Sequence, residues 1–352
     1  MIGVDLFCGA GGMTLGAKLA GIDVVFAVEA DPHAAETYSA NHPEVNLFQK
    51  DVRSLSQIPL CAWQQETVLF GGPPCQGFST SNQRTRNRKN RDNWMFREFV
   101  RLAKSWRPDW IVFENVKGIA ETEHGDFLEL ILQSFRDLKY TLSKGVLNAS
   151  KFGVPQRRER LFVIGSRHGI NVPMPRATVR RSIPVKRAIL DLPDLPNGAN
   201  VDPLPYKGPA RSAYVRQLRN GDEVVSGNLV TQNASFVVKR YKYVNQGGNW
   251  ESIPARLMKN YRRNYECHTG IYHRLDPKQP SVVIGNYRKN MLIHPFEDRG
   301  LSVREAARIQ SFPDCYRFEG SIGFQQQQVA NAVPPFLAKA VFATLLRASH
   351  EL

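Results

Sequence analysis

The sequence has no run of 18 consecutive apolar residues, the length a helix needs to cross a bilayer, so a membrane span is not expected. Its start, Met1-Ile2-Gly3-Val4-Asp5-Leu6, lacks a basic segment and a small-residue cleavage pattern, which argues against a secretory leader. Cysteine is scarce. Cys8, Cys61, Cys75, Cys267 and Cys315 are odd in number and show no CxxC spacing, so they read as reduced thiols in a cytosolic protein rather than a disulfide framework. There is no internal repeat, and no low-complexity tract beyond Gln325–Gln328. Acidic residues are in deficit, with 32 Asp+Glu against 47 Lys+Arg and a formal net charge of +15. What is present, 42% hydrophobic and 22% charged residues in 352, describes a globular chain with one large or two medium domains.

The excess of positive charge is localised. Residues 76–93 contain five Lys/Arg and one Asp, and residues 166–271 contain seventeen Lys/Arg and seven Asp/Glu. The rest of the chain is balanced to within one charge. Two basic stretches on a neutral framework suit a phosphate-contacting surface, against the bland alternative of a solvated basic face.

The first 165 residues alternate short apolar strands with amphipathic helical stretches. Strands are expected over Gly3–Phe7, Val24–Glu29, Val68–Phe70, Trp110–Glu114 and Leu161–Gly165, with a further one before Asp51. Helices are expected over Met13–Ala20, Pro32–Asn41, Trp94–Trp106 and Asp126–Leu138. This predicts an α/β fold with a mostly parallel sheet covered on both faces. Eight prolines between 166 and 209, followed by irregular polar sequence, predict a second, smaller, loop-rich domain. Helical pattern returns at Ser302–Gln310, which has N-cap character, and at Pro334–Ala348.

Two sites stand out. In the first, Asp5-Leu6-Phe7-Cys8-Gly9-Ala10-Gly11-Gly12 joins the first strand to the first helix, where glycines let the backbone turn sharply against a ligand. No phosphate-binding lysine follows. Glu29, ending the second strand, is placed to accept from ribose hydroxyls, and Asp51 to reach an adenine amino group, so the three describe an adenosine-type pocket. A glycine-rich structural loop is the plain alternative. In the second site, Gly71-Gly72-Pro73-Pro74-Cys75-Gln76-Gly77-Phe78-Ser79 presents a thiol on a proline-stiffened strand end before a basic run. A lone cysteine is more often a small buried hydrophobe. Here Glu114, at the end of its strand, and Arg158 and Arg160, alternating onto one face of theirs, complete a set suited to adding a thiolate to an electron-poor ring. A structural ion-pair cluster is the competing reading of Glu114 and the arginines.

The motifs DLFCGAGG, VEAD, Asp51, GGPPCQGFS, ENV, QRRER, SVREAARIQSFPD and QVANAVPP resemble, in order and approximate spacing from Gly3 to about Ala340, those of the cytosine-C5 DNA methyltransferases of bacteria and phages. The resemblance implies a Rossmann-like methyltransferase sheet, S-adenosylmethionine as cofactor, S-adenosylhomocysteine as product, no metal, and cytosine in double-stranded DNA as substrate. It implies a catalytic and cofactor-binding domain over 1–165 plus 325–352, a target-recognition domain over 166–300 and a junction over 301–324. Position by position, Phe7, Gly9, Gly11, Gly12, Glu29, Asp51, Pro73 and Asn331 would form the cofactor site. Cys75 would be the nucleophile at carbon 6 of a flipped-out cytosine, Glu114 would contact ring nitrogen 3 and the exocyclic amine, and Arg158 and Arg160 would support the activated base and the cysteine loop. Gln76, Ser79, Arg84, Arg86, Arg88, Lys89 and Arg91 would grip DNA as the segment after the cysteine closes. Arg, Asn and Gln residues of 166–300 would read base edges.

One departure is Ala330, where glycine is more usual before the asparagine; it adds a methyl group near the pocket. The chain starts just before the first motif and ends soon after the last, so no appended regulatory module is expected. A monomer in the bacterial cytoplasm or nucleoid, working alone, with a cognate restriction nuclease or in phage defence, is the expected setting. Two other readings remain: a tRNA cytosine-5 methyltransferase, disfavoured by the long basic insert, and a non-catalytic DNA-binding relative, disfavoured by the intact catalytic set. Cys267, His268 and His273 fall short of a tetrahedral zinc set. His33 and His42, flanking a helix, read as surface residues.

Overall fold

The structure, a computed structural model, describes residues 1–60, 65–74, 94–121, 125–259, 261, 270–285, 287 and 291–351. In chain order its strands and helices begin β1 (Ile2–Leu6), α1 (Gly12–Ala20), β2 (Asp23–Val28), α2 (Pro32–Asn41), β3 (Asn46–Phe48), β4 (Thr67–Gly71), α3 (Phe96–Trp106), β5 (Trp110–Val116), α4 (Asp126–Asp137), β6 (Thr141–Asn148) and β7 (Glu159–Ser166). They continue α5 (Val185–Ile189), β8 (Leu204–Pro205), α6 (Ala213–Arg219), β9 (Val224–Val225), α7 (Ser235–Tyr241), α8 (Val303–Ile309), α9 (Ile322–Asn331) and α10 (Pro335–His350).

The described chain divides into two compact units. The first comprises Met1–Phe152, Glu159–Thr178 and Pro335–Leu352; the second comprises Gly153–Arg158 and Val179–Pro334. Residues 325–334, read from sequence with the catalytic domain, thus cluster with the second unit, as do 301–324.

The first unit is built on a seven-stranded sheet in the order β3-β2-β1-β4-β5-β7-β6. Strands β1 to β5 pair in parallel, and β7 runs antiparallel between β5 and β6. Fully buried runs such as Ile2–Leu6 and Trp110–Glu114 explain the parallel pairing, since helices cover both faces and neither face needs polar alternation. The strand order reverses between β1 and β4, which opens a crevice at their carboxyl ends, the usual place for a ligand in such sheets. Edge-to-face contacts among Phe99, Phe113 and Phe135 hold α3 and α4 on the sheet. On the other face α1 lies tightly against α10: a Cβ added at Gly16 would sit 2.4 Å from the Ala338 Cβ and 2.7 Å from the Pro335 carbonyl. The stretch Ile322–His350, apolar enough by composition to pass for a membrane span, is mostly buried inside the protein.

The second unit has short helices and a two-stranded ladder, β8 with β9. One of its apolar clusters joins Val237, Tyr241, Met258, Tyr272 and Ile293, and several arginines are also buried and paired within the unit. Arg299 is paired bidentately with Glu305 (2.8 and 2.8 Å), whose side chain also closes a capping box with Ser302 at the start of α8. Arg308 joins Asp314 and Asp191. Two cations of the basic stretch are likewise internal: Arg219 pairs with Asp191, and Arg240 donates to the Leu257 carbonyl and to Tyr272. Their charge is spent inside the unit rather than offered to a partner.

Candidate active site

The turn after β1 is held by strain and by side chains. Phe7, Gly9 and Gly11 all have left-handed backbones (φ 61°, 54° and 82°), and Phe7 does so without being glycine. For a residue that is not glycine this geometry costs about 1–3 kcal/mol and persists only where its surroundings over-determine it. Here the Cys8 amide donates to the Val28 carbonyl (3.1 Å), and the Gly9 amide to Glu29 Oε2 (2.8 Å). Glu29 Oε1 accepts from the Ala30 and Asp31 amides (2.9 and 2.8 Å). Burial raises the Glu29 pKa, and these three amides pull against that rise. Each carboxylate oxygen has two lone-pair sites, so Oε2, with one amide, keeps room for a further donor. A Cβ placed on Gly9 would meet nothing within 4 Å among the described residues, and Gly12 begins α1.

Asp5 is a functional candidate that motif reading left without a role. It is 1% exposed, its Oδ2 accepts from the Thr14 hydroxyl (2.7 Å), and its Oδ1 has no hydrogen-bond partner among the described residues. Burial lifts its pKa well above the ordinary range. The signal was available in sequence: a carboxylate inside an otherwise apolar strand, directly before a glycine turn. Asp51 is differently engaged. It caps the short 3-10 turn Val52–Ser54, and Arg53 covers its carboxylate through the amide (2.9 Å), Nε (2.9 Å) and Nη2 (2.5 Å). The Arg53 guanidinium lowers its pKa.

The second group gathers at the ends of β4, β5 and β7. Glu114 on β5 is 7% exposed, and its Oε1 lies 2.9 Å from Arg160 Nε on β7. Burial lowers the Arg160 pKa while Glu114 opposes that fall. Asn115 Nδ2 donates to the Pro73 carbonyl (3.1 Å), which fixes the prolines just before position 75. Gly72 packs against the acid so closely that an added Cβ would lie 2.5 Å from Glu114 Oε2. Glu114, Arg160 and the Gly72–Pro74 segment therefore form one rigid edge. Cys75 itself lies outside the described residues, as do Gln76, Ser79, Arg84, Arg86, Arg88, Lys89 and Arg91.

Arg158 is engaged with main-chain carbonyls. It precedes β7, belongs to the second unit and is 1% exposed. Its guanidinium donates to the carbonyls of Ile284 (3.1 Å), Ala330 (2.7 Å) and Asn331 (3.4 Å). The strand itself starts at Glu159, so Arg158 lies just before it, and burial alternates from exposed Arg157 through buried Arg158 to exposed Glu159. Ala330 is buried, and Asn331 is an exposed residue at the end of α9. Gln156 was also passed over: it is buried, donates to Gln310 Oε1 (3.0 Å) and accepts from the Ile284 amide (3.0 Å). His42, read as a surface residue, is instead 2% exposed, and burial and Lys18 lower its pKa to about 4. Of the weighed zinc set, Cys267 and His268 lie outside the described residues. Among the described residues no cluster of three His, Cys, Asp or Glu could hold a metal.

Comparison with known proteins identifies the family. Residues 1–347 match the family model described as C-5 cytosine-specific DNA methylase. The chain is 34% identical over 349 residues to the type II methyltransferase M1.HphI of Haemophilus parahaemolyticus, covering 98% of this chain and 86% of that protein. It is 32% identical to the type II methyltransferase M.DdeI of Desulfomicrobium norvegicum, over 96% of this chain and 86% of that one. A solved structure described as a DNA modification methyltransferase encoded within a prophage (E. coli) superposes with a TM-score of 0.80 at 26% identity, covering 99% of both chains.

Proposed function

The chain belongs to the C-5 cytosine-specific DNA methylase family and is a DNA cytosine-5 methyltransferase, and from that premise we propose which residues carry the reaction. The target cytosine is flipped out of the duplex, because its ring edge is unreachable inside the stack. The Cys75 sulfur forms a bond to carbon 6, and the displaced electron pair raises the nucleophilicity of carbon 5. Glu114 hydrogen-bonds ring nitrogen 3 and the exocyclic amine as charge develops there, and Arg160 holds its carboxyl in place. When bound, S-adenosylmethionine supplies the methyl group that carbon 5 accepts, leaving S-adenosylhomocysteine. Loss of the carbon 5 proton then returns its electron pair to the ring and expels Cys75, which restores aromaticity and the free thiol. Arg158 serves as an anchor for the Gln156–Arg160 segment, as its three carbonyl partners suggest.

The residues around the β1 turn fit the cofactor. Asp5 Oδ1, without a partner among the described residues, the spare acceptor site on Glu29 Oε2 and the space the described residues leave at Gly9 offer acceptors and room for an amino group and a ribose. Phe7, Gly11, Gly12, Asp51, Pro73 and Asn331 complete the assignment. Gln76, Ser79, Arg84, Arg86, Arg88, Lys89 and Arg91 are proposed to bind DNA. The catalytic and cofactor domain is proposed over 1–165 plus 325–352, and target recognition over 166–300. No metal enters this chemistry. Because the relatives named above are type II methyltransferases, the setting proposed is restriction-modification or phage defence in a bacterial cytoplasm, as a monomer, with a cognate nuclease as a functional rather than physical partner.

The observation that carries the assignment is the buried Glu114–Arg160 pair packed on Gly72, three residues before Cys75. It is tested with DNA containing 5-fluorocytosine, whose fluorine cannot leave as a proton does, so the adduct cannot resolve. A denaturation-resistant protein–DNA complex linked through Cys75 is expected when S-adenosylmethionine is present. No complex, or one linked through another residue, would overturn the nucleophile assignment.

A further inference from the structure

α2 touches the cofactor turn at both of its ends. Before its first residue, Glu29 takes the Gly9 amide and Asp31 caps the helix through the Ala34 amide (2.9 Å). At its far end, ten residues on, the chain comes back to the same turn. The Tyr38 hydroxyl lies 2.9 Å from the Thr14 hydroxyl, which donates to Asp5 Oδ2 at 2.7 Å. Tyr38 and Thr14 are fully buried. His42 follows the helix, packs its ring 4.8 Å from that of Tyr38 and hydrogen-bonds the main chain of Gly11. Its Nδ1 is 3.5 Å from Lys18 Nζ, and Lys18 is paired with Glu44.

Three polar side chains are thus buried where α1 and α2 meet; Tyr38 and Thr14 lead to the turn, and His42 stands between Gly11 and the part-exposed Lys18. Apolar residues would pack such a contact at no desolvation cost, so a satisfied polar chain here buys definition of geometry. The turn needs it, since Phe7 is left-handed without being glycine, and Gly9 and Gly11 could adopt other conformations as readily as the left-handed one they have. We propose that Tyr38 and His42 are positioning residues that lock the Asp5–Gly12 turn in its cofactor-receiving shape, Tyr38 through Thr14 and Asp5, and His42 through Gly11. Neither touches the cofactor. The proposal rests on the reading that this turn binds S-adenosylmethionine, and it adds which residues outside the motif set the affinity.

The test uses the full chain with Tyr38→Phe, which removes one oxygen, and His42→Phe, which keeps a ring against Tyr38. The probe is S-adenosylhomocysteine, titrated calorimetrically without DNA and well below the melting temperature. Each variant is expected to bind about five- to tenfold more weakly, the loss of one hydrogen bond. KM for S-adenosylmethionine should rise in step, while kcat at saturation and DNA affinity stay within about twofold. His42→Gln, which keeps a donor, should recover most of the affinity. A merely structural role would lower the melting temperature yet leave S-adenosylhomocysteine affinity unchanged, and that result in both substitutions overturns the proposal. Wild-type protein that does not bind S-adenosylhomocysteine would instead overturn the cofactor reading beneath it.

Discussion

Gly72→Ala is the sharpest single-atom probe of the catalytic edge. The backbone at Gly72 is not in the left-handed region, so alanine adds no backbone strain, only a methyl group. That methyl would lie 2.5 Å from Glu114 Oε2, whereas ordinary contact begins at 3.4 Å, so the carboxylate must retreat by about 0.9 Å. A solvent-exposed glutamate would swing aside freely. Glu114 is buried and its other oxygen is held 2.9 Å from Arg160, so moving it disturbs the pair. Overpacking of this kind costs about 1–3 kcal/mol of stability, which leaves the protein folded. A misplacement near 1 Å at a reacting centre costs on the order of a hundredfold in rate. The expected result is therefore a modest fall in melting temperature, near-normal DNA and S-adenosylhomocysteine binding, and a single-turnover methylation rate reduced by about two orders of magnitude. Gly208→Ala, with nothing within 4 Å of the added carbon, is the control and should change none of these. A Gly72→Ala enzyme that methylates at the wild-type rate would refute the claim that Glu114 must be held where the structure has it.

Other consequences can be checked separately. Burial alone would raise the Glu305 pKa, but Arg299 outweighs it and holds the carboxyl near 2. A depressed carboxylate stabilises the fold above its unfolded pKa and loses that contribution as pH falls, so stability on the order of 3 kcal/mol should drain away between about pH 4.5 and 2. Glu305→Gln leaves the buried Arg299 with Glu297 alone as its carboxylate partner; it should cost about 1–3 kcal/mol at neutral pH and flatten that acid limb, seen by denaturant melts across pH. Asp51→Ala should weaken S-adenosylhomocysteine binding about tenfold, while Arg53→Ala, which uncovers the same carboxylate, should not weaken it; calorimetry reversing that order would remove Asp51 from the pocket. Replacing Arg84, Arg86 and Arg88 with alanine should reduce the log–log salt slope of DNA binding by about 2.7, and an unchanged slope would make that run a solvated loop.

Where periodicity and burial coincide, sequence was a good guide. β1, β2, β4 and β5 are apolar and short, and their helices begin and end on capping signals such as Asp31-Pro32 and Gly21, so their positions could be read to within a residue or two. β6 was missed because Thr141–Asn148 is an edge strand with mostly half-exposed residues and no clean alternation. α9 was missed because its centre is a glutamine run whose burial comes from packing rather than apolar pattern. Among site residues, ordered motifs brought out Glu114 and Arg160, whereas the separate anchoring of Arg158 depends on carbonyls more than 100 residues away. Buried polar residues carry no periodic mark, which is why His42 and the internal arginines surfaced only in three dimensions, whereas Asp5 stood out in sequence as a carboxylate in an apolar strand.

The central claim is that Cys75 drives methylation of cytosine in a defined DNA context. Genomic DNA from cells expressing the protein, sequenced for 5-methylcytosine beside DNA from cells expressing Cys75→Ser, tests it most directly. Methylated cytosines confined to one short sequence with the wild-type protein, and none with the variant, are predicted. Methylation that persists with Cys75→Ser, or its absence from DNA with both proteins, would contradict the account.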